Sequence, residues 1–168
     1  MKKFILSVAV LATITLSALA ADDSKTVKDD SKNVPVTVLN QFNSEFSGAK
    51  NVTWTVSDSA PKADFVVDGV SKTAFYNISG DFVGVTQEAT INDLPAYGVK
   101  QISKLYAGYN TGQVIKFVAE DPEMPNFTNS PLTAPTTTNY YVSLTKGNKE
   151  ILVQVSVDGT VSYFKKVK

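Results

Sequence analysis

The side chains that most often carry catalysis are scarce in this sequence. It has no histidine, no cysteine and no arginine, so a Ser-His-Asp triad, a thiol nucleophile and an ordinary zinc site are excluded. The S-x-x-K spacing of serine acylases occurs twice, at Ser47-Gly48-Ala49-Lys50 and Ser143-Leu144-Thr145-Lys146. That chemistry needs its serine at the start of a buried helix and two further motifs, whereas Ser47 closes a helical pattern and Ser143 lies in a strand pattern. Glu120, Asp121 and Glu123 form a carboxylate cluster. A calcium loop would alternate its oxygen ligands around a glycine, and Pro122 and Pro125 break that alternation. No catalytic, cofactor-binding or metal residue is assigned, and the chain reads as a non-enzyme.

The compartment comes next, because it decides what kind of partner is within reach. Lys2 and Lys3 precede an uncharged apolar run from Phe4 to Leu16, and Ser17-Ala18-Leu19-Ala20 places small residues where signal peptidase cuts. The expectation is a signal peptide over 1–20 and an exported protein, periplasmic or secreted. The run is shorter than the ~20 apolar residues that span a bilayer, and no cysteine follows it for lipid attachment, so no membrane association is expected after cleavage. Beyond residue 20 there are 14 lysines against 16 carboxylates, a net charge near −2 with no basic stripe, which argues against nucleic acid as a partner. From 21 to 33 the chain is charged or small apart from Val27 and reads as a flexible leader.

Two similar stretches follow. Asn33-Val34-Pro35 opens a helical pattern with Val38, Leu39, Phe42 and Phe46 on one face, and Asp93-Leu94-Pro95 opens another, at an offset of 60, with Val99, Ile102 and Tyr106. Asn33 and Asp93 are read as caps with proline in the first turn, and the helices should end near Gly48 and Gly108. Val52-Thr53-Trp54-Thr55-Val56 then alternates as a strand with Val52, Trp54 and Val56 inward, and Val114–Val118 takes the same place in the second stretch. Further strands run through Asp68-Gly69 and Lys146-Gly147-Asn148 into a hairpin, Ala74 to Val83 in the first stretch and Val153 to Ser162 in the second, now at an offset of 79. The 19 additional residues of the second stretch lie in a proline-rich loop over 120–138, whose Met124, Phe127 and Leu132 suit either a binding loop or a mobile insertion.

The helix, Asn51-Val52-Thr53-Trp54, Ala74-Phe75-Tyr76-Asn77-Ile78-Ser79-Gly80-Asp81 and the Leu94-Pro95 helix start together resemble the PepSY-like, β-lactamase-inhibitor-like (BLIP-like) exported proteins over Val34–Lys168. The resemblance implies an α+β fold: two tandem helix-plus-antiparallel-hairpin units forming one curved antiparallel sheet with helices on one face. The first repeat would cover 34–94 and the second 95–168. It further implies a non-enzymatic exported binding module that docks a protein or peptide, such as an envelope hydrolase. A carrier of small apolar ligands in the periplasm is the alternative.

The docking face follows from strand alternation. If Ala74, Tyr76, Ile78 and Phe82, and Val153, Val155, Val157 and Val161, face the helices, the intervening side chains point away from them. That second row is Phe75, Val83 and Val85 with Leu152, Gln154 and Phe164, more apolar than solvent alone would select. It is either an open docking face or a surface covered by the 120–138 loop.

Overall fold

A computed structural model describes residues 29–120 and 136–168. The signal segment, the leader before residue 29, and Met124, Phe127 and Leu132 lie outside the described residues. Helices α1 (Val36–Glu45) and α2 (Ala96–Leu105) alternate with two runs of strands: β1 (Lys50–Ser57), β2 (Ala60–Val67), β3 (Val70–Tyr76) and β4 (Phe82–Ala89), then β5 (Asn110–Glu120), β6 (Thr136–Lys146), β7 (Lys149–Ser156) and β8 (Val161–Lys166). All eight strands belong to one antiparallel sheet in the order β1 to β8, each hydrogen-bonded to the next.

This corrects the expected fold class. The chain is mostly β, a single eight-stranded sheet with only two short helices, rather than an α+β pair of tandem helix-plus-hairpin units. Alternation continues through β1, β2, β5 and β6, so the helical patterns account for only 10 residues each. The two strand runs also fuse, because β4 and β5 pair from Gly84 opposite Ala119 to Ala89 opposite Val114. Left apart, each would have exposed a row of unpaired backbone groups. The ends of the proline-rich stretch are strand as well: Glu120, Ala119 and Val118 sit opposite Thr136, Thr137 and Thr138.

The helix starts also differ from expectation. Pro35 and Pro95 are themselves the N-cap residues, with no side-chain cap. Proline forces the residue before it into extended backbone, and Val34 and Leu94 have ψ of 131° and 151°. Asn33 and Asp93 therefore end short 3-10 turns, Ser31–Asn33 and Ile91–Asp93, instead of capping the helices. The Asp93 carboxylate accepts from the Thr90 N–H at 2.7 Å and from the Thr90 hydroxyl at 2.8 Å. Those hydrogen bonds hold it below the usual carboxylate range.

Both helices bury their apolar faces on one side of the sheet. Under α1 lie Val38 and Phe42 with Trp54, Phe65, Ala74 and Tyr76; under α2 lie Ile102 with Val114, Val142, Leu144, Val153 and Val155. Each fully buried side chain of this size contributes about 1.5 to 3 kcal/mol of transfer free energy. Trp54 is buried in phase with half-buried Val52 and Val56, as its alternation requires. Ile78 and Val157 are not in this core: β3 and β7 end at Tyr76 and Ser156, and both residues stand exposed in the following turns. At the first edge, Asp29 and Asp30, expected in the leader, bind β1. Trp54 N–H donates to Asp29 Oδ1 at 3.1 Å, and Asp30 N–H donates to Trp54 O at 3.0 Å.

Candidate functional site

With both helices on one side, the other side of the sheet is the surface to which the strands bring side chains that the two main cores do not use. Phe75 and Leu152 are buried there, outside both helix-side clusters. Phe75 stands opposite Lys62 on β2 and Gly84 on β4, and Leu152 opposite Ser143 on β6 and Lys165 on β8. Four strand spacings separate them, about 19 Å, so the expected row divides into two patches.

The other expected positions divide by register. Phe75 pairs with Gly84 but Tyr76 pairs with Phe82, so Val83 is the extra residue of a β-bulge. A bulge shifts the alternation beyond it by one residue, and Val85, opposite Ala74, packs into the α1 core instead of facing away. Gln154 stays on the outer face and donates from Nε2 to Asn139 Oδ1 at 2.9 Å. Phe164 is the extra residue of a second register shift, between the pairs Leu152–Lys165 and Val153–Tyr163. Its half-buried ring meets the buried Tyr141 edge-on, with centroids 4.9 Å apart.

Two aromatic residues of this face are missing from the expected row. Tyr141 lies opposite Ile115 and Gln154, and Phe117 opposite Thr86 and Asn139. The Phe117 ring leans over Gly84, where an added Cβ would come within 2.6 Å of Phe117 Cε2 and of Val118 O. Glycine at 84 therefore makes the seat for that ring. The signal was present in Val114-Ile115-Lys116-Phe117-Val118, which is apolar in both phases.

The chemistry at the two S-x-x-K motifs does not assemble. Ser143 is buried and donates to Glu150 Oε1 at 2.9 Å, while Lys146 Nζ lies 5.6 Å from the Tyr109 ring centroid. Ser47 is exposed in the turn after α1. Asp68 sits at the tip of the β2–β3 hairpin with φ of 53°, followed by Gly69 at 77°. Two consecutive positive φ values make the type I′ turn that favours Asp-Gly, which explains that aspartate without a binding role. Among the described residues no three acidic, histidine or cysteine side chains group as metal ligands.

No known family's sequence profile matches the chain, and no curated protein matches its sequence. Solved structures do match in shape. A BLIP-like protein from Bacteroides fragilis is 19% identical with a TM-score of 0.61, the match covering 87% of this chain and 92% of that one. A DUF2874 family protein from Bacteroides uniformis is 15% identical with a TM-score of 0.64, covering 80% and 90%. A candidate periplasmic protein from Bacteroides eggerthii is 14% identical with a TM-score of 0.62, covering 80% and 89%.

The fold is BLIP-like. At these identities the likeness is one of fold alone, and none of the three structures is described as PepSY-like. In this chain the BLIP-like sheet keeps both helices on one side and presents Ile115, Phe117 and Phe164, all half-buried, on the other. No helix among the described residues is long and apolar enough to cross a membrane.

Proposed function

We propose that this chain is an exported, non-enzymatic binding module that docks a protein or peptide on the sheet face away from α1 and α2, and that the PepSY-like resemblance of its motifs reflects the same kind of role. The observation that carries the reading is the aromatic content of that face. Phe117 is seated on Gly84 and Phe164 stands against Tyr141, although neither ring belongs to a helix-side core. Aromatic side chains placed outside the main core and still partly accessible are the usual anchors of protein interfaces. The BLIP-like and periplasmic descriptions of the structural neighbours support the same reading.

A carrier of small apolar ligands would require an enclosed apolar cavity. Among the described residues, a cleft of about 380 Å³ between Glu88–Ile91 and Thr111–Val114 opens to solvent and includes Glu88, Thr90, Thr111 and Gln113 in its lining, which does not favour that reading. The aromatic content of the outer face favours docking on the sheet. The test is a pull-down from an envelope extract with wild type and with Phe164→Asp. A reproducible partner held by the wild type and lost by the variant, with both melting within a few degrees of each other, is the expected result; equal recovery by both rejects this face.

A further inference from the structure

The same tripeptide stands at two hairpin turns, Val67-Asp68-Gly69 and Val157-Asp158-Gly159. No other aspartate and no asparagine of the chain precedes a glycine, the residue whose main-chain nitrogen is least shielded by its own side chain. An aspartate so placed isomerises by an internal acyl transfer. The nitrogen of the following residue adds to the aspartate Cγ, and a five-membered succinimide closes as the carboxyl C–O bond breaks. The oxygen leaves as water, with one proton from the carboxyl and one from the amide. Water then reopens the ring: attack at Cγ restores aspartate, and attack at the main-chain carbonyl gives isoaspartate, whose backbone runs through Cβ. Nothing is oxidised or reduced, and the final mass is unchanged. The step needs a carboxyl in its neutral form, a nitrogen free of other bonds, and room for the chain to turn.

Asp158 and Gly159 meet none of these needs. The Asp158 carboxylate accepts from the Ser156 hydroxyl, from Thr160 N–H at 3.0 Å and from the Thr160 hydroxyl at 2.9 Å. Those bonds hold it down at about 2, so at neutral pH its neutral form is about a hundredfold rarer than that of an ordinary aspartate. Gly159 N–H donates to Ser156 O at 2.9 Å. Gly159 is also buried, with Gly98 N 2.7 Å from a Cβ placed on it.

Asp68 and Gly69 are held by nothing comparable. Both are exposed, the Asp68 carboxylate makes no hydrogen bond or ion pair among the described residues, and Gly69 N–H donates to no backbone oxygen among them. No atom lies within 4 Å of a Cβ placed on Gly69. The turn consists of these two residues alone, since Val67 already pairs with Val70, and an exposed tip of this kind opens locally at little cost.

We propose that Asp68 is a site of spontaneous isoaspartate formation in the folded protein, through a succinimide closed by the Gly69 nitrogen, and that the fold protects Asp158 from the same reaction. Isoaspartate adds a main-chain atom to a two-residue turn whose geometry sets the register of β2 on β3. Those strands carry Ala63, Phe65, Ala74 and Tyr76 into the α1 core, so the first half of the sheet is the part that loosens as the protein ages.

The test keeps the full-length protein at physiological temperature and neutral pH, folded and in parallel in urea, and follows isoaspartate at each site by peptide mapping and by an isoaspartyl methyltransferase. In urea the two sites should convert at similar rates, because their tripeptides are identical. In the folded protein, conversion at 68 should exceed that at 158 by about tenfold or more. The aged wild type should also melt below an equally aged Asp68→Glu variant, in which closure would need a six-membered ring. Equal conversion at 68 and 158 in the folded protein would overturn the proposal, as would conversion at both sites in urea and at neither when folded, or retention of aspartate at 68 under both conditions. The site-resolved rates come from the wild type, so they decide the matter even if Asp68→Glu does not fold.

Discussion

Under α1 the helix and the sheet are joined by rings; under α2 they are joined by backbone. Phe42 packs against Phe46, Trp54 and Phe65 with centroids 5.0 to 5.2 Å apart, and Trp54 and Phe82 both reach Tyr76. The second half buries Val, Leu and Ile in the equivalent places. There the β7–β8 turn meets the helix directly: a Cβ on Gly159 would lie 2.7 Å from Gly98 N, and one on Gly98 would lie 2.6 Å from Val155 Cγ1. In the first half, Gly80 at the β3–β4 turn is approached by a side chain instead, Val38 Cγ2 at 3.1 Å from a Cβ placed there. Large rings fill a helix–sheet gap that aliphatic side chains would leave partly empty, and small side chains require the backbones themselves to close it. One architecture therefore tolerates two cores, but each fails at a different kind of residue.

The largest expected effect is in the ring network. Trp54→Ala removes the partner of both Phe42 and Tyr76 from a site that cannot collapse around it, and should cost about 3 to 5 kcal/mol in urea unfolding. A cost below 1 kcal/mol would mean that the rings of the first half do not act as a core.

Next come the two turn glycines, which test the contrast directly. Both have positive φ, 83° at Gly159 and 88° at Gly80, so the backbone penalty of alanine is shared. Gly159→Ala adds a collision with Gly98 backbone, which cannot rotate away, and should cost about 3 kcal/mol or more. Gly80→Ala meets only a side chain and should cost about 1 to 2 kcal/mol. Equal losses would show that the close approach of α2 carries no weight.

Trp54 and the helix faces were legible because a run of alternating or 3.6-spaced apolar residues has one dominant solution once a single face is buried. Val85 was not, since its orientation depends on a bulge set by how β4 pairs with β3. Asn33 and Asp93 misled because a capping residue two positions before proline is also what a 3-10 turn uses, and the extended Val34 and Leu94 decide between them. Ile115 and Phe117 lie in a run with apolar residues in both phases, and only the pairing of β5 with β4 shows that these two face away from the helices.

A smaller effect is expected at Tyr76. Its hydroxyl is buried without a hydrogen-bond partner among the described residues. Burial, and after it the charge of Glu45, push its titration well above the ordinary tyrosine value. The folded state thus resists an ionisation that the unfolded chain undergoes near pH 10, so this group lowers stability as pH rises beyond that point. Tyr76→Phe should change stability at neutral pH by less than about 1 kcal/mol, or raise it, and should flatten the alkaline fall of the melting temperature. A loss of several kcal/mol would reveal a partner for the hydroxyl.

The smallest effect separates the two turns by acid. The β3–β4 turn is anchored by an amide, Asn77 Oδ1 accepting from the N–H groups of Ser79 at 2.8 Å and Asp81 at 2.9 Å. The β7–β8 turn is anchored by a carboxylate: Asp158 accepts from the Ser156 hydroxyl, from Thr160 N–H at 3.0 Å and from the Thr160 hydroxyl at 2.9 Å. The Ser156 hydroxyl first, and then the Thr160 groups, hold Asp158 down at about 2. Because its folded value lies below the unfolded one, Asp158 contributes stability above about pH 4 and loses it as pH falls from there through about 2. The group is fully exposed, so the change is local and belongs in an NMR titration: the Thr160 amide should shift with a midpoint near pH 2 and stop doing so in Asp158→Asn, which keeps an acceptor and removes the charge. The Ser79 amide should show no such midpoint, because Asn77 does not titrate. A Thr160 midpoint near 4 would mean that the three hydrogen bonds do not persist in solution, and the two turns would then differ only in sequence.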